Sequence, residues 1–571
     1  MINTIIKQGL NLALLGLVST PLYAQKPQVK LKRPNVIVIL TDDMGFSDVG
    51  CYGSEIRTPN IDRMAANGVR FTHFYNTARC SPTRASLLTG LYPHEAGMGH
   101  LANYNFDEDG YRDDLSKNAV TLAEVFKSAG YTTYMAGKWH ISKGTTPKGD
   151  QSNWPLQRGF EHFFGTLNGS GSYYDPGTLV SNNTFIAPGK DFYYTNAITD
   201  TVVKYITKHP KGKPFFTYVA FTAAHWPLHA PEKEIQKYKG VYDKGWDAIR
   251  EQRFEKLKKL GIISKACLLS TRTEDIPAWE DEKMKEWQVR RMEVYAAMVD
   301  IMDQGIGRII SALEKKGELD NTVIFYMHDN GGCAEPVGTD QMEIPLTEDQ
   351  KILHPLSPDS IFYGKKPEYA RDGRYVRSGR GVMAGGPDTW EAYGREWANV
   401  SNTPFRLYKH YTHEGGIASP LIIQWPKGIA AKGELRTPNS HLIDVMATCL
   451  DITGIQYPKE FNGKKIQPYE GVSLVPAFNN QPIKRVSLFW EHGGNRAIRV
   501  GNWKLVSKTQ KEKKFTAADE KAWELYDMDK DPSETNNLAT KYPEKVKQLA
   551  LLWEKEALRT KAKPWPWNQD N

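Results

Sequence analysis

Asn35-Val36-Ile37-Val38-Ile39-Leu40-Thr41-Asp42-Asp43 is the stretch on which the fold turns. Residues 36–40 are apolar and mostly β-branched, without the polar alternation of a half-exposed strand. They therefore read as a strand buried on both faces of a parallel sheet. Two acids follow at once. The arrangement returns in Val323-Ile324-Phe325-Tyr326-Met327, which runs into His328-Asp329-Asn330-Gly331-Gly332. It recurs in residues 215–221, followed by His225 and His229, and in residues 131–136, followed by Gly137-Lys138-Trp139-His140. Open α/β sheets bind ligands beyond the carboxyl ends of their strands, so these four segments are expected to bring polar groups to one rim.

Helices alternate with the strands, as parallel pairing requires. Thr121 and Glu124 form a capping box for a helix ending near Ser128, with Gly130 behind it. Residues 291–316 carry apolar side chains at Val294, Met298, Ile301, Ile309 and Leu313, close to helical spacing, and Gly317 closes the run. After about residue 455 the pattern changes. Short strands are expected at 486–490, 496–500 and 503–506, and an amphipathic helix at 543–561. The prediction is an α/β protein, a large mixed sheet flanked by helices, with a smaller C-terminal subdomain of antiparallel sheet plus helix. The catalytic domain is drawn at residues 34–455 and the subdomain at 470–571.

Of the 571 residues, 40% are hydrophobic and 25% charged, which fits a globular chain without long disordered tracts. A net charge of +8 is small for this length and gives no reason to expect nucleic acid as a partner. Lys7, the apolar run 10–18 and Leu22-Tyr23-Ala24 read as a signal peptide, residues 1–24, cleaved before Gln25. That apolar run is far shorter than the roughly 20 residues that span a bilayer, so no stable membrane anchor is expected. The predicted destination is outside the inner membrane, periplasmic or secreted. Five widely spaced cysteines, Cys51, Cys80, Cys267, Cys333 and Cys449, offer neither a disulfide framework nor zinc spacing.

The most specific stretch is Cys80-Ser81-Pro82-Thr83-Arg84-Ala85-Ser86-Leu87-Leu88-Thr89-Gly90. It resembles the signature of the formylglycine-dependent sulfatases, arylsulfatase-like members of the alkaline-phosphatase superfamily, in which Cys-x-Pro-x-Arg directs oxidation of the cysteine. Residues 130–140, ending in Gly137-Lys138-Trp139-His140, resemble that family's second signature. The resemblance implies an alkaline-phosphatase-like sheet and hydrolysis of sulfate esters by a formylglycine made from Cys80. It implies a sulfatase-maturing enzyme as partner. It also implies metal ligation by Asp42, Asp43, Cys80 in its formylglycine form, Asp329 and Asn330. Those side chains offer only oxygen, which suits a hard cation, calcium first and magnesium second.

The same resemblance gives Arg84 and Lys138 the task of holding nucleophile and sulfate, and His140 that of removing the proton that lets the intermediate collapse. His225 and Lys409 match the pair that binds sulfate and protonates the leaving oxygen. His413 and His328 stand where many relatives have Tyr and Ser or Thr. A phosphatase or phosphonate monoester hydrolase of the same superfamily is the alternative, although no Asp-x-x-x-His cluster supplies a second metal. A catalytically silent glycan-binding protein would be expected to have lost the cysteine or a metal acid. The expected substrate is a sulfated oligosaccharide or polysaccharide, of algal origin such as ulvan or from host glycans. Trp154, Tyr173, Tyr174, Trp226, Trp390 and Trp397 are candidate stacking surfaces for sugar rings, with Asp175, Arg395 and His229 as hydroxyl partners.

Overall fold

The computed structural model describes residues 33–273, 275–509 and 522–566. The predicted signal peptide lies outside them. In chain order the large sheet is built from β1 (Asn35–Thr41), β2 (Val69–Tyr75), β3 (Thr132–Lys138), β4 (His162–Thr166), β5 (Leu179–Ser181), β6 (Thr184–Phe185), β7 (Phe215–Ala220), β8 (Thr322–His328), β9 (Ala418–Gln424), β10 (Glu434–Arg436) and β11 (Ser440–His441). Its order is β10-β2-β9-β8-β1-β7-β3-β4-β5-β6, with β11 also paired to β2. The four segments that the sequence singled out are β8, β1, β7 and β3, and they are consecutive and parallel at the centre. The pairs β8–β9, β9–β2, β4–β5 and β5–β6 are antiparallel, which makes the sheet mixed.

Register explains the rim. Gly137 pairs with Ala220, Ala220 with Leu40, and Leu40 with Met327. These four residues form one level row, so the residues that follow them emerge side by side. The row is held by burial on both faces: Ile37, Ile39, Ile324 and Tyr326 enter one apolar cluster, while Val36, Val38, Leu40, Val323, Phe325 and Met327 enter the other. Each fully buried branched side chain contributes about 1.5–3 kcal/mol, and a slip by one residue would keep apolar contact but lift the acids out of line.

The long helix spans Lys285–Lys316 and ends at Gly317, which is left-handed. The helix Leu122–Ser128 carries the full capping box of Thr121 and Glu124. The C-terminal sheet has four antiparallel strands, Leu488–His492, Asn495–Val500, Trp503–Ser507 and Glu524–Asp527, and the helix Pro543–Arg559 packs on it. The first strand begins two residues later than its sequence pattern, because Val486 is 82% exposed and joins no ladder. The fourth strand was not anticipated.

Gly137 has φ +113°, and a Cβ there would overlap the backbone carbonyl of Ala220. Gly130 is also left-handed, with open space around it. Gly137→Ala is therefore expected to destabilise by about 4 kcal/mol or more, against about 1 kcal/mol for Gly130→Ala, read from denaturation midpoints. Equal shifts would show that the close strand approach at Gly137 is not what requires glycine.

Candidate active site

Cys80 is the first residue of the helix Cys80–Thr89, every residue of which is buried, and Cys80 itself is 2% exposed. Its helix N-terminus opens toward the rim, where aligned backbone N–H groups favour an anion. Around it converge Asp42 and Asp43 from the end of β1, Asp329 and Asn330 from the end of β8, His225 beyond β7, and Lys138 at the end of β3. Ligand atoms of Asp42, Asp43, Cys80 and His225 lie within 4.8 Å of one another. Lys138 Nζ donates to Asp42 Oδ2 at 2.5 Å, and Arg84 donates to Asp329 Oδ2 at 2.9 Å while also standing 3.4 Å from Asp42. Lys409 Nζ lies 2.8 and 2.9 Å from the two oxygens of Asp43, and Asn330 Nδ2 donates to Asp43 Oδ1 at 2.7 Å. His225 Nε2 is 3.4 Å from Asp43.

Burial and like charge set the electrostatics. Desolvation, with Asp329 adding to it, pushes Asp42 up to about 6 against the pull of Lys138. For Asp43 burial also acts upward, but His225 and Lys409 outweigh it and hold the carboxyl below its usual range. Burial drives His225 down to about 4 despite Asp43 and Asp42, and takes His140 well below the ordinary imidazole value, with Lys138 and Arg84 adding to the effect. His140 is thus held neutral in this arrangement. The Cys80 thiol is pushed up to about 12 by burial, against Lys138 and Lys409.

The donor set fits a hard cation. Asp42 Oδ1 and Asn330 Oδ1 are buried and lack a hydrogen-bond partner, which in a dry interior costs about 1–3 kcal/mol each. A cation coordinated by oxygen would satisfy both. Asp43 is the most committed of the four, with Lys409 on both oxygens and Asn330 on Oδ1. Both oxygens of Asp329 are also in use, Oδ2 accepting from Arg84 and Oδ1 from the Asp43 backbone N–H at 3.2 Å.

Several expectations about the pocket wall are corrected. Trp154 and Trp397 are fully buried, Trp397 packing edge-on against Trp246, and Tyr173 spends its hydroxyl on the carbonyls of Thr222 and His225. Asp175 is paired with Arg371, Arg395 with Asp275, and His229 bonds the Thr389 carbonyl. Trp154, Trp397, Tyr173 and His229 are thus committed to the core, whereas Asp175 and Arg395 hold ion pairs and Asp175 keeps one oxygen without a partner. Trp226 and Trp390, 8% and 5% exposed, meet edge to face at 6.1 Å, and Trp226 lies against His225 with ring centroids 4.7 Å apart.

The sequence reading missed Glu335. Its carboxylate accepts from Trp226 Nε1 at 2.7 Å and from Arg79 at 2.9 Å, with His410 at 3.2 Å and Lys409 at 3.8 Å. Its place six residues after Asp329, in the loop leaving β8, was the available signal. Gly169 was missed too: a Cβ there would run into the His140 imidazole, so this glycine lets the ring sit where it does.

An open sheet whose rim combines a buried acid cluster, a group at a helix N-terminus and flanking cations defines a hydrolase of anionic esters. Residues 34–455 match the family described as Sulfatase, and residues 405–561 the family described as N-sulphoglucosamine sulphohydrolase, C-terminal. An uncharacterized sulfatase of Schizosaccharomyces pombe is 34% identical over 92% of this chain and 94% of its own length. An arylsulfatase of Klebsiella aerogenes is 34% identical over 78% of this chain and 91% of its own. The solved structure of Ps i-CgsB in complex with k-i-k-neocarrahexaose superposes with a TM-score of 0.60 at 23% identity, covering 93% and 98% of the two chains. The chain belongs to the sulfatase family and is a sulfuric ester hydrolase.

Because the acid cluster is buried, chelator-treated protein is expected to melt at a lower temperature than protein supplied with calcium or magnesium. At a concentration 100-fold above Kd the cation adds about 2.7 kcal/mol. Differential scanning calorimetry checks this, with Asn330→Ala as the variant whose response should shrink. Restoration by zinc alone would contradict the oxygen-ligand reading.

Proposed function

We propose that the chain removes sulfate from carbohydrates, using a formylglycine made from Cys80 and one divalent cation, calcium in preference to magnesium. Asp42, Asp43, Asp329 and Asn330 would hold the cation. The observation that carries the reading is the position of Cys80, within its intact signature, at the N-terminus of a buried helix and among Asp42, Asp43 and His225. Hydrated formylglycine supplies two hydroxyls on one carbon, one to attack sulfur and one whose deprotonation expels inorganic sulfate. The cation supplies charge to lower a hydroxyl pKa and to neutralise a sulfate oxygen.

The remaining work falls to the chain's own side chains. Lys138 and Arg84 anchor Asp42 and Asp329, and their positive charge and the helix N-terminus favour sulfate oxygens here. Neutral His140 accepts the proton of the second hydroxyl. Lys409, held charged because Asp43 and its neighbours outweigh burial, stands with His225 on the leaving-group side and donates toward the departing oxygen. Cys80 is buried in the finished fold, so a sulfatase-maturing enzyme would have to act before the helix packs. Export to the periplasm or medium belongs to the same proposal. No helix among the described residues is long and apolar enough to cross a membrane.

A carbohydrate substrate is favoured by the Trp226–Trp390 pair beside His225, and by the oligosaccharide named with the Ps i-CgsB structure. Cys80→Ala is expected to abolish turnover and Cys80→Ser to allow at most one sulfation event per chain, measured by burst kinetics beside the mass of the peptide containing residue 80. Near-normal turnover by Cys80→Ser would overturn the nucleophile. Trp226→Ala and Trp390→Ala are expected to lower kcat/KM on sulfated oligosaccharides by about tenfold, a loss typical of removing one stacking aromatic, and to affect 4-nitrophenyl sulfate less. If the aryl ester is preferred over every glycan, the carbohydrate assignment fails.

A further inference from the structure

The mouth of the site holds one cation more than its acids balance. Lys138 pairs with Asp42, Lys409 with Asp43, and Arg79 with Glu335. Lys365 is left over: among the described residues no carboxylate stands within ion-pair distance of it. Its ammonium sits 4.4 Å from the centroid of the Trp226 indole, a cation–π contact. That indole touches His225 on the leaving-group side of the proposed reaction and is tied by Nε1 to Glu335. The chain carrying Lys365 is docked, since the Phe362 carbonyl accepts from the Thr178 backbone N–H at 2.9 Å. Lys365 remains an exposed residue; partial desolvation lowers its pKa, Glu335 raises it, and Lys409, Arg79 and Lys138 lower it further.

An ammonium held on an aromatic face, beside three other cations, is placed where an incoming negative charge gains the most. A neutral sugar ring stacked on Trp226 would leave that charge unanswered, whereas an anionic substituent would answer it. We infer that Lys365 and Trp226 form a subsite for a second anionic group on the substrate, a sulfate or a carboxylate, carried by the sugar that bears the scissile sulfate or by its neighbour. The enzyme on this view selects multiply charged glycans. The inference rests on the sulfated-carbohydrate reading above.

Three matched disaccharides test it: one with a single sulfate ester, one with a second sulfate, and one with a uronic carboxylate in place of that second sulfate. Wild-type enzyme should favour at least one of the doubly charged compounds by about tenfold in kcat/KM, and the preference should shrink as ionic strength rises. Which of the two is favoured identifies the group. Lys365→Gln should bring the ratio of doubly to singly charged substrate close to one. Lys366→Gln, which removes an equal charge next door, should keep the wild-type ratio. No wild-type preference, a preference that survives Lys365→Gln, or an equal loss in Lys366→Gln would each overturn the subsite while leaving the sulfatase reading standing. Failure of enzyme with converted residue 80 to hydrolyse any of the three or 4-nitrophenyl sulfate would sink that reading, and the subsite with it.

Discussion

Three carboxylates, Asp42, Asp43 and Asp329, are brought together at the end of a sheet with essentially no access to water. Isolated charges there would carry desolvation costs of several kcal/mol each, and mutual repulsion would add to them. The structure answers with buried cations: Arg84 between Asp42 and Asp329, Lys138 on Asp42, Lys409 on Asp43. Balance is incomplete, since Asp42 is still pushed upward and two ligand-type oxygens have no partner. Those two oxygens are what the proposed cation would coordinate, and holding them in place is why the site needs a rigid frame.

The frame is the parallel centre of the sheet. Strands separated by hundreds of residues end at the same level because their paired rows are in register. Buried apolar side chains on both faces lock that register, and Gly137 permits the close approach of β3 to β7. Asp42, Asp43, Lys138, Asp329 and Asn330 are thus placed directly by strand ends.

The C-terminal sheet does more than cover apolar surface. Lys504, fully buried, bonds Glu414 at 2.7 Å and Glu534 at 2.8 Å, Glu534 accepts from the Glu414 backbone N–H, and His413 stands 3.4 Å from Glu524. Asn495 reaches the His410 carbonyl, and Trp490 Nε1 donates to the Asn76 carbonyl just ahead of Cys80. The segment that carries Lys409 is therefore braced from the small sheet. His413 takes part in this brace through Glu524.

The chain's own residues determined the fold class and much of the site. Uninterrupted apolar runs of β-branched residues can only be satisfied by burial on both faces, and polar groups directly behind them can only lie at a strand end, so Asp42, Asp43, Asp329, Asn330, Lys138 and His225 were legible one segment at a time. The signature around Cys80 is local and needs no partner to be read. Strand order was not legible, because apolar runs of like composition pair equally well in many orders until packing selects one. Neither was Glu335, whose role exists only because the loop after β8, the residue before Cys80 and the indole of Trp226 meet in space. For the same reason Trp154, Trp226 and Trp397 looked equivalent in sequence: how much of each ring its neighbours cover is decided only by tertiary packing, which leaves Trp154 and Trp397 no exposed surface and Trp226 8%.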